Sequence, residues 1–215
     1  MAENKIDGPV IGLSFDGTGY GEDGKIWGGE ILIAEESRFT RAAHISYIPM
    51  PGSAAAVKEP WRMAVSYLYD AFGEEMWGLD IPVLKETGRD KIRFIIDMIS
   101  KKINSPETSS LGRLFDGVSA ILGIRNRVCF EGQAAMELEM ISGENIREIY
   151  DYEWITNHNV YKILTAPIIR SVVSDVHNGV DPSVIGGKFH RTVINLYSEL
   201  CKTIRKDTDI ERVAL

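Results

Sequence analysis

The chain has 215 residues, 44% of them apolar and 26% charged, with a net charge of -7. That length is enough to bury a sizeable core as one domain or two small ones, and the balance is ordinary for a globular protein. The acidic excess argues against sequence-independent nucleic-acid binding, which rests on Lys and Arg. No apolar run reaches the roughly 20 residues that span a bilayer. The N-terminus lacks an apolar signal core, so a cytoplasmic location is expected. Cys129 and Cys201 form neither a zinc spacing nor a disulfide framework, and the expectation is two buried thiols in a reducing compartment.

The first element is the most informative. The apolar run 9–15 leads to Asp16, glycines follow at positions 17, 19, 21 and 24, and residues 31–34 lead away as a second strand. Glycine lets the backbone turn tightly and bring its N–H groups toward an anion. The pattern reads as strand, glycine turn, strand. Gly19 to Gly24 satisfies the spelling of a dinucleotide fingerprint, but that motif needs a helix after its glycines. A kinase loop would need its lysine and H-R-D segments, and an EF-hand would need oxygen ligands where Thr18 and Tyr20 stand. A purely structural hairpin remains the plain alternative.

Next, residues 38–48 read as a strand ending at Pro49-Met-Pro51-Gly52. Glu59-Pro-Trp-Arg62 opens a helix to about Phe72, with proline in its first turn. Residues 74–88 form a mixed connector, and 92–103 a helix with four isoleucines on one face. Residues 108–123 form a helix capped by hydroxyls and stopped by glycine. Another spans 131–141. Residues 146–164 suggest two strands about a Thr156-Asn-His-Asn159 turn. Helices over 167–177 and 182–205 follow, and 209–215 reads as a strand just begun.

Several residues invite chemistry. Asp16 offers one carboxylate for a metal or phosphate-linked role, with nucleotide phosphates and Mg²⁺ as reasonable partners. The four histidines show no i, i+4 pairing, and His190 suits a bond to a neighbouring backbone carbonyl. Arg62 opposes its helix dipole, which points to an anion or to an internal carboxylate. Arg113 and Asp116 share a helix face and either contact a ligand or each other. Glu131 opens a helix where an acid is favourable in any case.

Taken in order, Phe15-Asp-Gly-Thr-Gly-Tyr-Gly, Trp27-Gly-Gly-Glu30, Pro51-Gly52, Glu59-Pro-Trp-Arg62, Ser109-Ser-Leu-Gly-Arg-Leu-Phe-Asp-Gly-Val-Ser-Ala120, Phe130-Glu-Gly-Gln-Ala-Ala135 and Phe189-His190 resemble the carbamoyltransferase HypF family of nickel–iron hydrogenase maturation. The resemblance implies an α/β fold of the actin-like, ribonuclease-H-like ATPase type, related to TsaD, with N-terminal hairpins followed mostly by helices. It implies ATP and carbamoyl phosphate as substrates, carbamoyl-adenylate as the bound intermediate, and transfer to the C-terminal cysteine of HypE. By position, Asp16 matches the aspartate of the metal and phosphate site, with a divalent metal expected in the intact domain. Gly17, Thr18 and Gly19 match the phosphate turn; Asp116, Glu131 and Gly132 match the nucleotide site; Arg62 and Arg113 match anion contacts.

The family's upstream histidine pair and downstream Ser-Gly-Gly turn have no counterpart here, so residues 1–215 are expected to be an internal fragment of the transferase domain. Inactivity alone and self-association through open sheet edges are expected with it. The alternatives are an O-carbamoyltransferase of the antibiotic or nodulation type and a non-catalytic docking module.

Overall fold

A computed structural model describes residues 8–215. An antiparallel meander, β1 (Val10–Tyr20), β2 (Ile26–Ala34) and β3 (Phe39–Ile45), opens the chain. Beyond β3 lie β7 (Val160–Leu164), parallel to it, and β6 (Glu153–Asn157), antiparallel to β7. On the other flank β8 (Val213–Ala214) runs parallel to β1. Two short strands, β4 (Ile48–Pro49) and β5 (Glu107–Thr108), extend the sheet where β5 meets Ile26 of β2.

The first strand does not stop at Asp16. It continues to Tyr20, and the reversal comes at residues 21–25, where Gly21 N–H donates to the Lys25 carbonyl at 2.9 Å. Phe15 pairs with Gly29 and Gly19 with Trp27, so Asp16, Gly17 and Thr18 face Gly28 alone. The expected glycine turn is thus a bulge within the strand, three residues opposite one. Bulges re-aim side chains out of a ladder, and this one lifts Asp16 out of the pairing.

The helices are α1 (Ala54–Lys58), α2 (Pro60–Phe72), α3 (Pro82–Thr87), α4 (Arg89–Ser100), α5 (Leu111–Ile121), α6 (Gln133–Ile141), α7 (Ala166–His177) and α8 (Pro182–Thr208). The connector at 74–88 contains a 3₁₀ turn (Gly73–Gly78) and α3. Helix α4 starts earlier than its isoleucine stripe suggests. Gly88, at φ 83°, forms its cap, and Lys102 and Asn104 turn left-handed after its end. Helices α2 and α5 pack closely because Gly117 has no side chain: a Cβ there would lie 2.7 Å from the Tyr67 ring. Ile31, Ile45, Met63, Leu68, Leu114, Val118 and Phe189 share one core. Burying each such side chain contributes about 1.5–3 kcal/mol.

Candidate functional site

The bulge is held from three sides. Asp16's carbonyl accepts from Ser110 Oγ at 2.6 Å, and its Oδ1 accepts from Gly17 N–H at 2.6 Å. Gly28 sits at φ 150°, and a Cβ on it would lie 2.2 Å from the same Asp16 carbonyl oxygen. Ser110 is also the N-cap of α5, its Oγ accepting from Arg113 N–H at 3.2 Å. One hydroxyl therefore ties the start of α5 to the bulge. Gly112 makes the approach possible, since a Cβ there would be 3.0 Å from Gly17 Cα.

This docking delivers three expected side chains to one place. A Cβ on Gly17 would lie 3.1 Å from Arg113 Nη2 and 3.8 Å from Glu131 Oε1. Arg113 reaches back along its helix to Asp116, Nη1 to Oδ2 at 2.9 Å, and both residues are only 3% exposed. The contact is an ion pair by distance, but its atoms are not aligned as a hydrogen bond. Arg113 Nε and Nη1 and Asp116 Oδ2 are buried without hydrogen-bond partners. Burial pushes the Asp116 carboxyl up to about 6, and the Arg113 charge opposes that rise only in part.

Asp16 and Glu131 are exposed, so the assembly has a buried charged floor and a solvated acidic rim. Gly132, at φ 77°, caps α6 immediately after Glu131. Thr18 is exposed on the bulge, and Gly19 backs onto Trp27. The Gly17 N–H is already engaged by Asp16, which removes it from the donors open to a phosphate.

The sequence reading missed the support beneath the bulge. Glu30 is 1% exposed and accepts from Gly28 N–H (2.5 Å), Gly29 N–H (2.8 Å), Arg41 Nη2 (2.7 Å) and Ser109 Oγ (2.5 Å). Four donors compensate a carboxylate that is costly to bury bare. Arg41 also donates to Tyr47 Oη, and Tyr47 donates to Asp23. An acid inside the apolar run 26–33 was the available signal, since such a charge requires a partner.

Arg62 is not among the residues gathered at the bulge contacts. Its Nε donates to Glu59 Oε2 at 2.5 Å, and it lines a separate cavity with Trp61 and Arg127. His190 behaves as expected, its Nδ1 bonding the Gly186 carbonyl at 2.8 Å. The cysteines differ from expectation: Cys129 is exposed and Cys201 half-buried, both free. Among the described residues no three His, Cys, Asp or Glu side chains converge as a metal site. Asp16 offers one carboxylate, a single ligand of the several that a divalent metal takes. No described helix is long and apolar enough to cross a membrane.

The strand order, the bulge carboxylate and the helix that docks on it define an actin-like, ribonuclease-H-like α/β domain. The family model described as carbamoyltransferase, Kae1-like domain, second subdomain, matches residues 12–215, and the chain belongs to the carbamoyltransferase HypF family. It is 33% identical to the carbamoyltransferase HypF of Synechocystis sp. over 231 residues, covering 100% of this chain and 29% of that protein. It is 41% identical to the HypF of Rhizobium leguminosarum over 66% of this chain and 18% of that protein. A crystal structure of full-length HypF in the phosphate- and nucleotide-bound form superposes with a TM-score of 0.92 at 40% identity, over 99% of this chain and 33% of that one. HypF from T. kodakarensis gives 0.81 at 26% identity, over 98% and 28%. The chain thus spans about a third or less of the length of these relatives.

Proposed function

We propose that this chain forms part of a carbamoyl-transfer site for hydrogenase maturation. In this reading, carbamoyl-adenylate, made from carbamoyl phosphate and ATP, lies across the bulge, and the acceptor is the C-terminal cysteine of HypE. The thiolate sulfur bonds the carbamoyl carbon, the carbon–oxygen bond to the adenylate phosphate breaks, and AMP leaves with that electron pair. The product would be dehydrated on HypE toward the cyanide ligands of the nickel–iron centre. The observation that carries the reading is the meeting of Gly17 with Glu131 and with Arg113, which is itself paired with Asp116.

The chain's own residues supply placement and charge. Arg113, fixed in a low-dielectric setting, offers a cation where negative charge gathers on the leaving group. Asp116 holds that cation in place and faces the nucleotide side of the site. The backbone at Thr18 and Gly19 lines the phosphate side. Asp16 would give one ligand to a divalent metal at most, so no step is routed through one.

The test replaces the matching region of the Synechocystis relative with this chain and follows labelled carbamoyl from carbamoyl phosphate to HypE. ATP-dependent transfer is expected, with Asp116→Asn lowering it on the order of 100-fold. The 215-residue chain alone should transfer nothing measurable. Unchanged transfer by the Asp116→Asn chimaera contradicts the reading.

A further inference from the structure

The cavity at Arg62 has a chemistry of its own. Glu59 caps α2, but its carboxylate makes no cap hydrogen bond. It is drawn instead to two guanidinium groups, Oε2 accepting from Arg62 Nε and Oε1 from Arg127 Nη2, each at 2.5 Å. Burial would raise this carboxyl, and the bonds from Arg127 and Arg62 outweigh it and hold the carboxyl below its usual range. One carboxylate serving two arginines leaves the triad with a net positive charge. Nη1 and Nη2 of Arg62 have no hydrogen-bond partner among the described residues.

The fork is nevertheless fixed. Its Cζ lies 5.0 Å from the Trp61 ring, and a Cβ on Gly52, at φ 90°, would come within 3.0 Å of Nη1. A guanidinium locked on one edge and open on the other is preorganised for a planar carboxylate. Asn126 Nδ2 donates to Glu86 Oε2 at 2.7 Å, which fixes that acid on the cavity wall. Phe94, 62% exposed, completes an aromatic wall facing an open cavity of about 870 Å³. That volume is within the range of small-ligand sites.

We propose that this cavity binds a carboxylate that carries an aromatic side chain, as in an N-acylated aromatic amino acid or the terminal residue of a peptide. The carboxylate takes the open edge of Arg62 together with Arg127, and the ring lies against Trp61 and Phe94. Glu86, Asp90 and Lys91 also line the cavity, so with Glu59, Arg62 and Arg127 its acids and cations balance, which favours a monoanion over a dianion such as phosphate. None of these residues enters the carbamoyl-transfer reading, so the two proposals stand or fall separately.

The probe is N-acetyl-L-phenylalanine, titrated into this chain while the Trp61 indole N–H is followed by NMR. A saturable shift is expected, at least about tenfold weaker with the neutral amide of the same compound, because the charged fork loses its partner. Arg62→Lys keeps the charge and loses the fork, and Arg127→Ala alters a side chain 77% exposed. Each should weaken binding by about fivefold or more. A short peptide ending in free phenylalanine separates the sources: binding of the peptide as well assigns the site to chain termini, and binding of the free acid alone assigns it to a small molecule. Absence of saturation at millimolar probe, equal binding of acid and amide, tighter binding of inorganic phosphate, or indifference to both substitutions would overturn the proposal.

Discussion

Gly28 and Asp16 face each other across the first two strands so closely that a Cβ on Gly28 would lie 2.2 Å from the Asp16 carbonyl oxygen. The bulge that presents Asp16 exists because the residue opposite it has no side chain.

Gly28→Ala is therefore expected to destabilise the protein by roughly 2–5 kcal/mol, from backbone strain at φ 150° and from overpacking. Urea denaturation measures the difference. A loss below about 0.5 kcal/mol, the ordinary surface value, would show that the strands can part freely.

Removing the support below should be equally costly. Glu30→Ala leaves Arg41, whose side chain is 13% exposed, without its buried acid, at about 3–5 kcal/mol. Replacing both residues with methionine should recover part of that loss, since the uncompensated charge disappears. A double variant as unstable as the sum of the single ones would mean that the pair acts through packing alone.

Ser110→Ala breaks two bonds at once, the cap to Arg113 N–H and the donation to Asp16's carbonyl. The expected cost is about 1–3 kcal/mol. Ser110→Thr keeps the hydroxyl and should restore most of it. Amide hydrogen exchange at residues 16–19 should quicken in the alanine variant and not in the threonine one.

Two groups, the buried Asp116 and the half-buried His44, tilt stability in opposite directions over the same acidic range. Asp116 is raised to about 6 by burial, so the folded state holds its proton more tightly than the unfolded chain does. Its contribution is full at low pH and is lost as pH rises from about 4 to 6, by about 3 kcal/mol. His44 is lowered to about 4, by burial first and the Arg41 charge second. The unfolded chain takes up that proton first, so its contribution is present above the unfolded value of 6.5 and is lost as pH falls. Asp116→Asn should gain stability relative to the parent between pH 4 and 7, and His44→Gln should gain as pH falls from 7 to 4. Parallel pH profiles for either variant and the parent would sink that assignment.

Much of the fold was legible along the chain because periodicity and punctuation are local. Pro60 and Pro182 open helices, Asn178-Gly179 breaks α7 from α8, and two strands flank a polar turn near residues 156–159, although β6 begins only at Glu153 and runs on to Asn157. The ordered motifs carried the family as well. The bulge was not legible, since the same glycines suit a hairpin turn, and only pairing with β2 shows that β1 runs on to Tyr20. The partners of Glu30 come from Arg41 and Ser109, 11 and 79 residues away along the chain, and no local pattern joins them.

Sequence alone determined which side chains carry charge and where most of the helices and strands lie. The tertiary structure decided which of those charges meet: Arg113 and Glu131 beside Gly17, and Arg62 apart with Glu59 and Arg127. The reason is that local conformational preference is set by neighbours in the chain. Electrostatic partnership falls off with distance in space, and only the packed core fixes that distance.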